Sequence, residues 1–294
     1  MDSVLSSLGF GIVTASILLP AAVGFTLQFS ATGILNIAFG AQMTFAAYIA
    51  YIGTQAGLGI WWAALLAGLF GAASSVLLNR FLLTPFMRRG TNFFGMVVVT
   101  IALALLIEYV VEVIWGPLPV SYQMQSFHAY HLGPMTFTRA QLVVIGISLV
   151  FAVATHTLLR YTRMGKAIRA VADNRNLARS SGISAQRMTD IAWLLSGLMG
   201  GAAGVMLGIS LSSVSYTMGD TFLIEIIAAA ILGGVGQVYG AMLGALVIGV
   251  TLEESAIVLG GAYAPISAFA LLILVLLIRP TGIMAGAAKT KGIA

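Results

Sequence analysis

Six acidic side chains stand where water is scarce. Glu108, Glu112, Asp220, Glu225, Glu253 and Glu254 all lie in or beside long apolar runs. An ionisable group inside a bilayer is costly, so it faces a bundle interior, a partner charge or a wet passage. Glu108 and Glu112 are four residues apart and share one helix face, near the outer end of their segment. Glu225 and Glu253 lie deeper by count. Each is open to three readings: a neutral protonated group, a partner of a distant Arg, or a contact for a positively charged solute. Asn36 is a lone amide in Gly33-Ile-Leu-Asn-Ile-Ala-Phe-Gly40. It suits an interhelical hydrogen bond or the lining of a passage. His128 and His131 are three apart, but without Cys or a close carboxylate they make a poor metal site, and they read as loop residues. Cysteine is absent, which removes thiolate chemistry and disulfides. No Gly-x-x-x-x-Gly-Lys-[Ser/Thr], His-Glu-x-x-His or Gly-x-Ser-x-Gly pattern occurs. The chain therefore reads as a non-enzyme, with no metal, cofactor or nucleic acid bound to it.

The elements that must hold these groups follow from composition. Of 294 residues, 60% are hydrophobic and 8% charged, and the mean hydropathy is +1.02. A soluble domain carries about 25% charged residues, so an ordinary cytosolic enzyme, a nucleic-acid binder and a disordered chain are excluded. A membrane helix needs about 20 apolar residues. Segments of that kind cover residues 8–28, 33–54, 60–80, 92–114, 140–160, 190–212, 238–260 and 263–279. A shorter piece, 221–234, crosses or dips in and returns. The expected fold is all-α: a polytopic membrane bundle of eight or nine segments forming one domain over residues 1–294. Met1–Phe10 lacks the basic start of a signal peptide.

Basic residues orient the segments, because Lys and Arg stay on the cytoplasmic side. Arg80, Arg88 and Arg89 form one cluster. Arg160, Arg163, Lys166, Arg169, Arg175, Arg179 and Arg187 form the largest, and Arg279, Lys289 and Lys291 the last. The connection Trp115–Thr138 has no basic residue and belongs outside. A cytoplasmic C-terminus and an outer N-terminus then require nine crossings.

Glycine marks packing and interruption. Gly200, Gly204 and Gly208 repeat at the spacing that lets helix backbones approach. The run Leu232-Gly-Gly-Val-Gly-Gln-Val-Tyr-Gly240 holds too much glycine for a helix interior, and Gly33–Gly40 is a second candidate break. Irregular backbone at membrane depth is tolerated only in protein-lined or wet places, so these breaks and their neighbours are candidate pathway elements. The candidate pathway set is Asn36, Gly40, Glu225, Gly233, Gly234, Gly236 and Glu253. The connector 161–189 has a different character. Ala167, Ala170, Val171, Leu177 and Ala178 recur at roughly helical spacing between basic residues, with an expected break near Asn174 and an end at Gly182. Such a piece suits anchoring to anionic lipid or docking to a partner.

Thr162–Ile183, reading T-R-M-G-K-A-I-R-A-V-A-D-N-R-N-L-A-R-S-S-G-I, resembles the cytoplasmic coupling loop of ABC importer permeases, most of all the branched-chain amino acid type, the LivH/LivM family. Thr32-Gly-Ile-Leu-Asn-Ile-Ala-Phe-Gly-Ala-Gln42 and Leu232–Ala245 resemble that family's two Gly-rich motifs, and Ile278-Arg-Pro-Thr-Gly-Ile283 its terminal one. The four follow in order, and the resemblance covers residues 8–284. It implies a permease subunit that moves branched-chain or related amino acids by alternating access. It also implies a second permease chain, two cytoplasmic ATP-binding subunits holding ATP and Mg, an extracytoplasmic binding protein and a bacterial inner membrane. Gly165, Ala167, Arg169, Ala170, Asp173, Ala178 and Gly182 would form the docking knob for the ATPases. An ion-coupled secondary transporter, using Glu225 and Glu253 for its ion, is the alternative, but it has no use for such a knob.

Overall fold

In the computed structural model, which describes residues 2–122, 129–132 and 135–284, helices α1 (Asp2–Thr32), α2 (Ala38–Gln55) and α3 (Ile60–Leu77) come first. A π-helical turn, Leu78–Leu83, carries the third helix on into α4 (Thr84–Arg88). α5 (Phe93–Trp115) precedes a hairpin of β1 (Ala129–Leu132) and β2 (Met135–Thr138). Then follow α6 (Arg139–Tyr161), α7 (Arg163–Asp173), α8 (Arg175–Ser180), α9 (Ala185–Ser210), α10 (Met218–Gly233), α11 (Val238–Leu259) and α12 (Ala264–Ile278), the last preceded by a short turn, Gly261–Tyr263. Every expected segment has its helix. Among the described residues, seven helical stretches are long and apolar enough to cross a membrane: Ser7–Thr32, Ile60–Arg88, Phe93–Trp115, Arg139–Tyr161, Ala185–Ser210, Val238–Leu259 and Gly261–Ile278. The protein is thus a helical, multi-pass membrane protein. The antiparallel hairpin, pairing Ala129 with Thr138 and Leu132 with Met135, lies in the connection that reads as loop. His128, Lys289 and Lys291 lie outside the described residues.

The chain packs as two compact units. One comprises Met1–Thr26, Phe127–Leu149 and Ile224–Ala294, the other Leu27–Ser126 and Val150–Leu223. The second unit is organised on α9, whose apolar stretch is 72% buried where that of α5 is only 22%. The difference follows from side-chain size. Gly197 and Gly201 of α9 meet the backbone of α3 at Gly71 and Ala67, and Gly204 meets α2 at Met43, with no room for a Cβ. Between lipid-bathed helices, close backbone approach and dispersion replace the hydrophobic drive. α5 instead presents Leu105, Leu106 and Val113 outward, as filler matched to hydrocarbon. In the first unit α11 is joined to α10 in the same manner: Gly240 lies on Gly233, and Gly244 on Ala229.

Candidate functional site

The basic connector folds as two short helices held by local caps. The Thr162 hydroxyl accepts from the Gly165 N–H at 2.9 Å and starts α7. Asn174 leaves helical geometry, and its side-chain oxygen accepts from the N–H groups of Asn176 and Leu177 at 3.1 and 3.0 Å, starting α8. Each cap satisfies donors that a helix start leaves open. α8 ends at Ser181 and Gly182, where Gly182 takes a φ of 80°. The expected break near Asn174 and the stop at Gly182 are therefore both present. α7 is strongly two-faced. Ile168 packs with Ala31 of α1 and Ala192 of α9, while Val171 packs with Ala178 and Ala185.

This packing separates the seven candidate docking residues. Arg169 and Asp173 are exposed and lie one helical turn apart, and Ala167 and Ala170 are partly exposed beside them. Gly165 and Ala178 are buried. Gly165 lies so close to the Leu158 carbonyl and the Leu159 Cα that a Cβ would collide with both, which clamps α7 onto the end of α6. Gly182 is exposed at the turn.

The candidate pathway residues fall in both units. In the second unit, Asn36 is buried in the interruption between α1 and α2, and its amide nitrogen donates to Gln28 Oε1 at 2.8 Å. Gln28 in turn donates to Ser75 Oγ at 3.1 Å. Gly40 rests on the backbone of Gly219, whose N–H donates to Thr44 Oγ1 at 2.9 Å. Asp220 follows Gly219, and its Oδ1 is buried with no hydrogen-bond partner among the described residues. In the first unit, Gly233 ends α10, and Gly234 and Gly236 adopt φ values of 113° and 81°, conformations open to glycine without strain. Glu225 is partly buried near Glu253. Glu253 accepts a hydrogen bond from the Thr14 hydroxyl at 2.7 Å, and Glu254 one from Ser7 at 2.8 Å. Among the described residues no Arg or Lys pairs with Glu225 or Glu253; hydroxyl groups of α1 partner the adjacent pair Glu253 and Glu254 instead.

A family of sequences described as the permease component of branched-chain amino acid transport systems matches residues 7–279. The chain belongs to that family. The permease is 28% identical over 277 residues to the high-affinity branched-chain amino acid transport system permease protein LivH of Salmonella typhimurium, a match spanning 90% of this chain and 89% of LivH. It is 27% identical over 280 residues to BraD, a high-affinity branched-chain amino acid transport system permease protein of Pseudomonas aeruginosa, spanning 90% of each. The solved structure of PsaBC from Streptococcus pneumoniae in complex with Fab has the same fold. Its TM-score is 0.53 at 13% identity, over 92% of this chain and 91% of that one.

Sequence reading of the permease singled out Asn36 but not its partners. Gln28 and Ser75 carried the same signal, a polar side chain in an apolar run. Gln42, which is buried with no hydrogen-bond partner on either amide atom among the described residues, carried it too. Spacing alone does not say which of these amides meet.

Proposed function

We propose that this permease is the membrane subunit of an ATP-binding-cassette importer for branched-chain or related amino acids, seated in a bacterial-type inner membrane. It works beside a second permease chain. Two cytoplasmic ATP-binding subunits supply the energy from their ATP and Mg, and an extracytoplasmic binding protein delivers the solute. The three basic clusters put the connector and the C-terminus inside and the N-terminus outside, with nine crossings. α2 and α10 complete that number.

The observation that carries the reading is a family match over residues 7–279 in a chain whose connector forms a two-faced, basic helical knob. The outward side, Ala167, Arg169, Ala170 and Asp173, meets the ATPase. The inward side is tied to three long helices: Gly165 to α6, Ile168 to α1 and α9, Val171 to the start of α9. Such a knob cannot be displaced alone. A push from closing ATPases moves the three helices as a body, and close-packed interfaces answer with discrete rearrangement rather than smooth deformation. Glycine-rich breaks offer polar backbone along the passage.

The test is uptake of radiolabelled leucine by proteoliposomes holding the assembled transporter. Uptake is expected to require ATP and the binding protein, and Arg169→Glu is expected to reduce it at least tenfold while the permease remains folded. Leucine accumulation that follows an ion gradient with no ATPase bound would overturn the reading. It would favour the ion-coupled carrier built on Glu225 and Glu253.

A further inference from the structure

In the second unit a cavity of about 210 Å³ is lined by Arg88 at the end of α4, Arg175 and Arg179 on α8, and Asn79, Gln186 and Thr189. The three guanidinium groups come from two elements far apart in sequence. Among the described residues none of the three has a hydrogen-bond or ion-pair partner. Arg175 and Arg179 are one helical turn apart, a spacing at which like charges repel. Arg175 is half-buried, and burial first and the Arg179 charge second pull its pKa below the ordinary value. Three cations around one hollow are held together at a cost unless an anion joins them.

The polar wall points the same way. Asn79 is fully buried. Its amide nitrogen donates to Asp190 Oδ1 at 3.3 Å, and Gln186 donates to the same oxygen at 3.0 Å. The Asp190 carboxylate beside these wall residues is thus already engaged by two amides. The cavity therefore offers cationic donors on its rim, beside a carboxylate already committed to amide donors.

We propose that this cavity binds a phosphoryl group, with Arg88, Arg175 and Arg179 donating to its oxygens. Guanidinium forks match phosphoryl geometry. Both hydrogen phosphate and the headgroup of phosphatidylglycerol carry the required oxygens. The site stands independently of what the permease transports.

The experiment uses the full-length permease in detergent. One arm titrates inorganic phosphate by calorimetry. The other measures retention of phosphatidylglycerol against phosphatidylcholine by native mass spectrometry. Affinity for the preferred ligand is expected to fall about fivefold for each arginine replaced, first in Arg88→Gln, whose exposed position leaves folding untouched, and further in the triple Gln variant. Arg187→Gln, on the exposed surface outside the cavity, is expected to bind as the parent does. Phosphate binding without lipid selectivity assigns the site to the free anion, and selective lipid retention assigns it to the headgroup. Absence of both, or an Arg187→Gln loss equal to that of Arg88→Gln, overturns the proposal.

Discussion

The interruption between α1 and α2 and the one between α10 and α11 both stop an apolar helix at a glycine, but they satisfy the freed backbone by different means. Between α1 and α2 side chains do part of it, beside main-chain bonds from Gly33 N–H to the Phe29 carbonyl and from Phe39 N–H to the Asn36 carbonyl. Thr100 of α5 donates to the Leu35 carbonyl at 3.2 Å and Thr32 Oγ1 accepts from the Ile34 N–H, while Asn36, Gln28 and Ser75 bond side chain to side chain in a buried relay beside the turn. Between α10 and α11 the main chain does it. The Ile283 and Met284 N–H groups donate to the carbonyls of Leu232 and Gly233 at 2.9 and 3.1 Å, and Gln237 N–H to Gly234 at 2.9 Å. Gly282 presses against Gly234 so closely that a Cβ on Gly282 would collide with the Gly234 backbone. A break held by side chains is sensitive to chemistry, whereas one held by backbone is sensitive to volume.

The sharpest way to break this contrast is Gly233→Val. Its added methyl groups meet the backbone of Gly240 and Ala241, so it is expected to destabilise the permease by about 3 kcal/mol, the upper part of the range for overpacking, read as a lower unfolding midpoint in detergent. Asn36→Ala comes next. It leaves Gln28 Oε1 buried without its donor, and about 2 kcal/mol is expected from the same measurement. Gln237→Ala should do least. Gln237 is exposed, and its side chain makes no cap hydrogen bond at the start of α11, so a change within about 0.5 kcal/mol is expected. A loss at Gln237 equal to that at Asn36 would erase the distinction between the two breaks.

Much of this was legible in the residue string. Apolar runs located every long helix, because a membrane segment needs length and hydrophobicity before it needs partners. Glycine density located both interruptions, and the cap residues Thr162 and Asn174 bracket the connector helices. Other features depended on contacts between distant residues. The third helix was expected to end at residue 80, yet its π-helical turn carries it to Arg88, with Asn79 buried inside. The hairpin Ala129–Thr138 arises where neither charge nor strict alternation marked a strand. In the connector, alanine and glycine spacing gave the helices but not their outward side. Gly165 and Ala178 turned inward because the end of α6 and the start of α9 lie against them. The convergence of Arg88 with Arg175 and Arg179 was equally hidden, since nothing in their separation along the chain announces it.

The backbone pairing of Ile283 and Met284 carries a consequence for biosynthesis. A ribosome delivers Leu232 and Gly233 long before it delivers the two amides that cover their carbonyls. Until then the turn after α10 must be shielded by water or lipid headgroups, and only a chain extended past Met284 can close it. A product terminated before Ile283 would lack the donors for both carbonyls and keep that turn open to water.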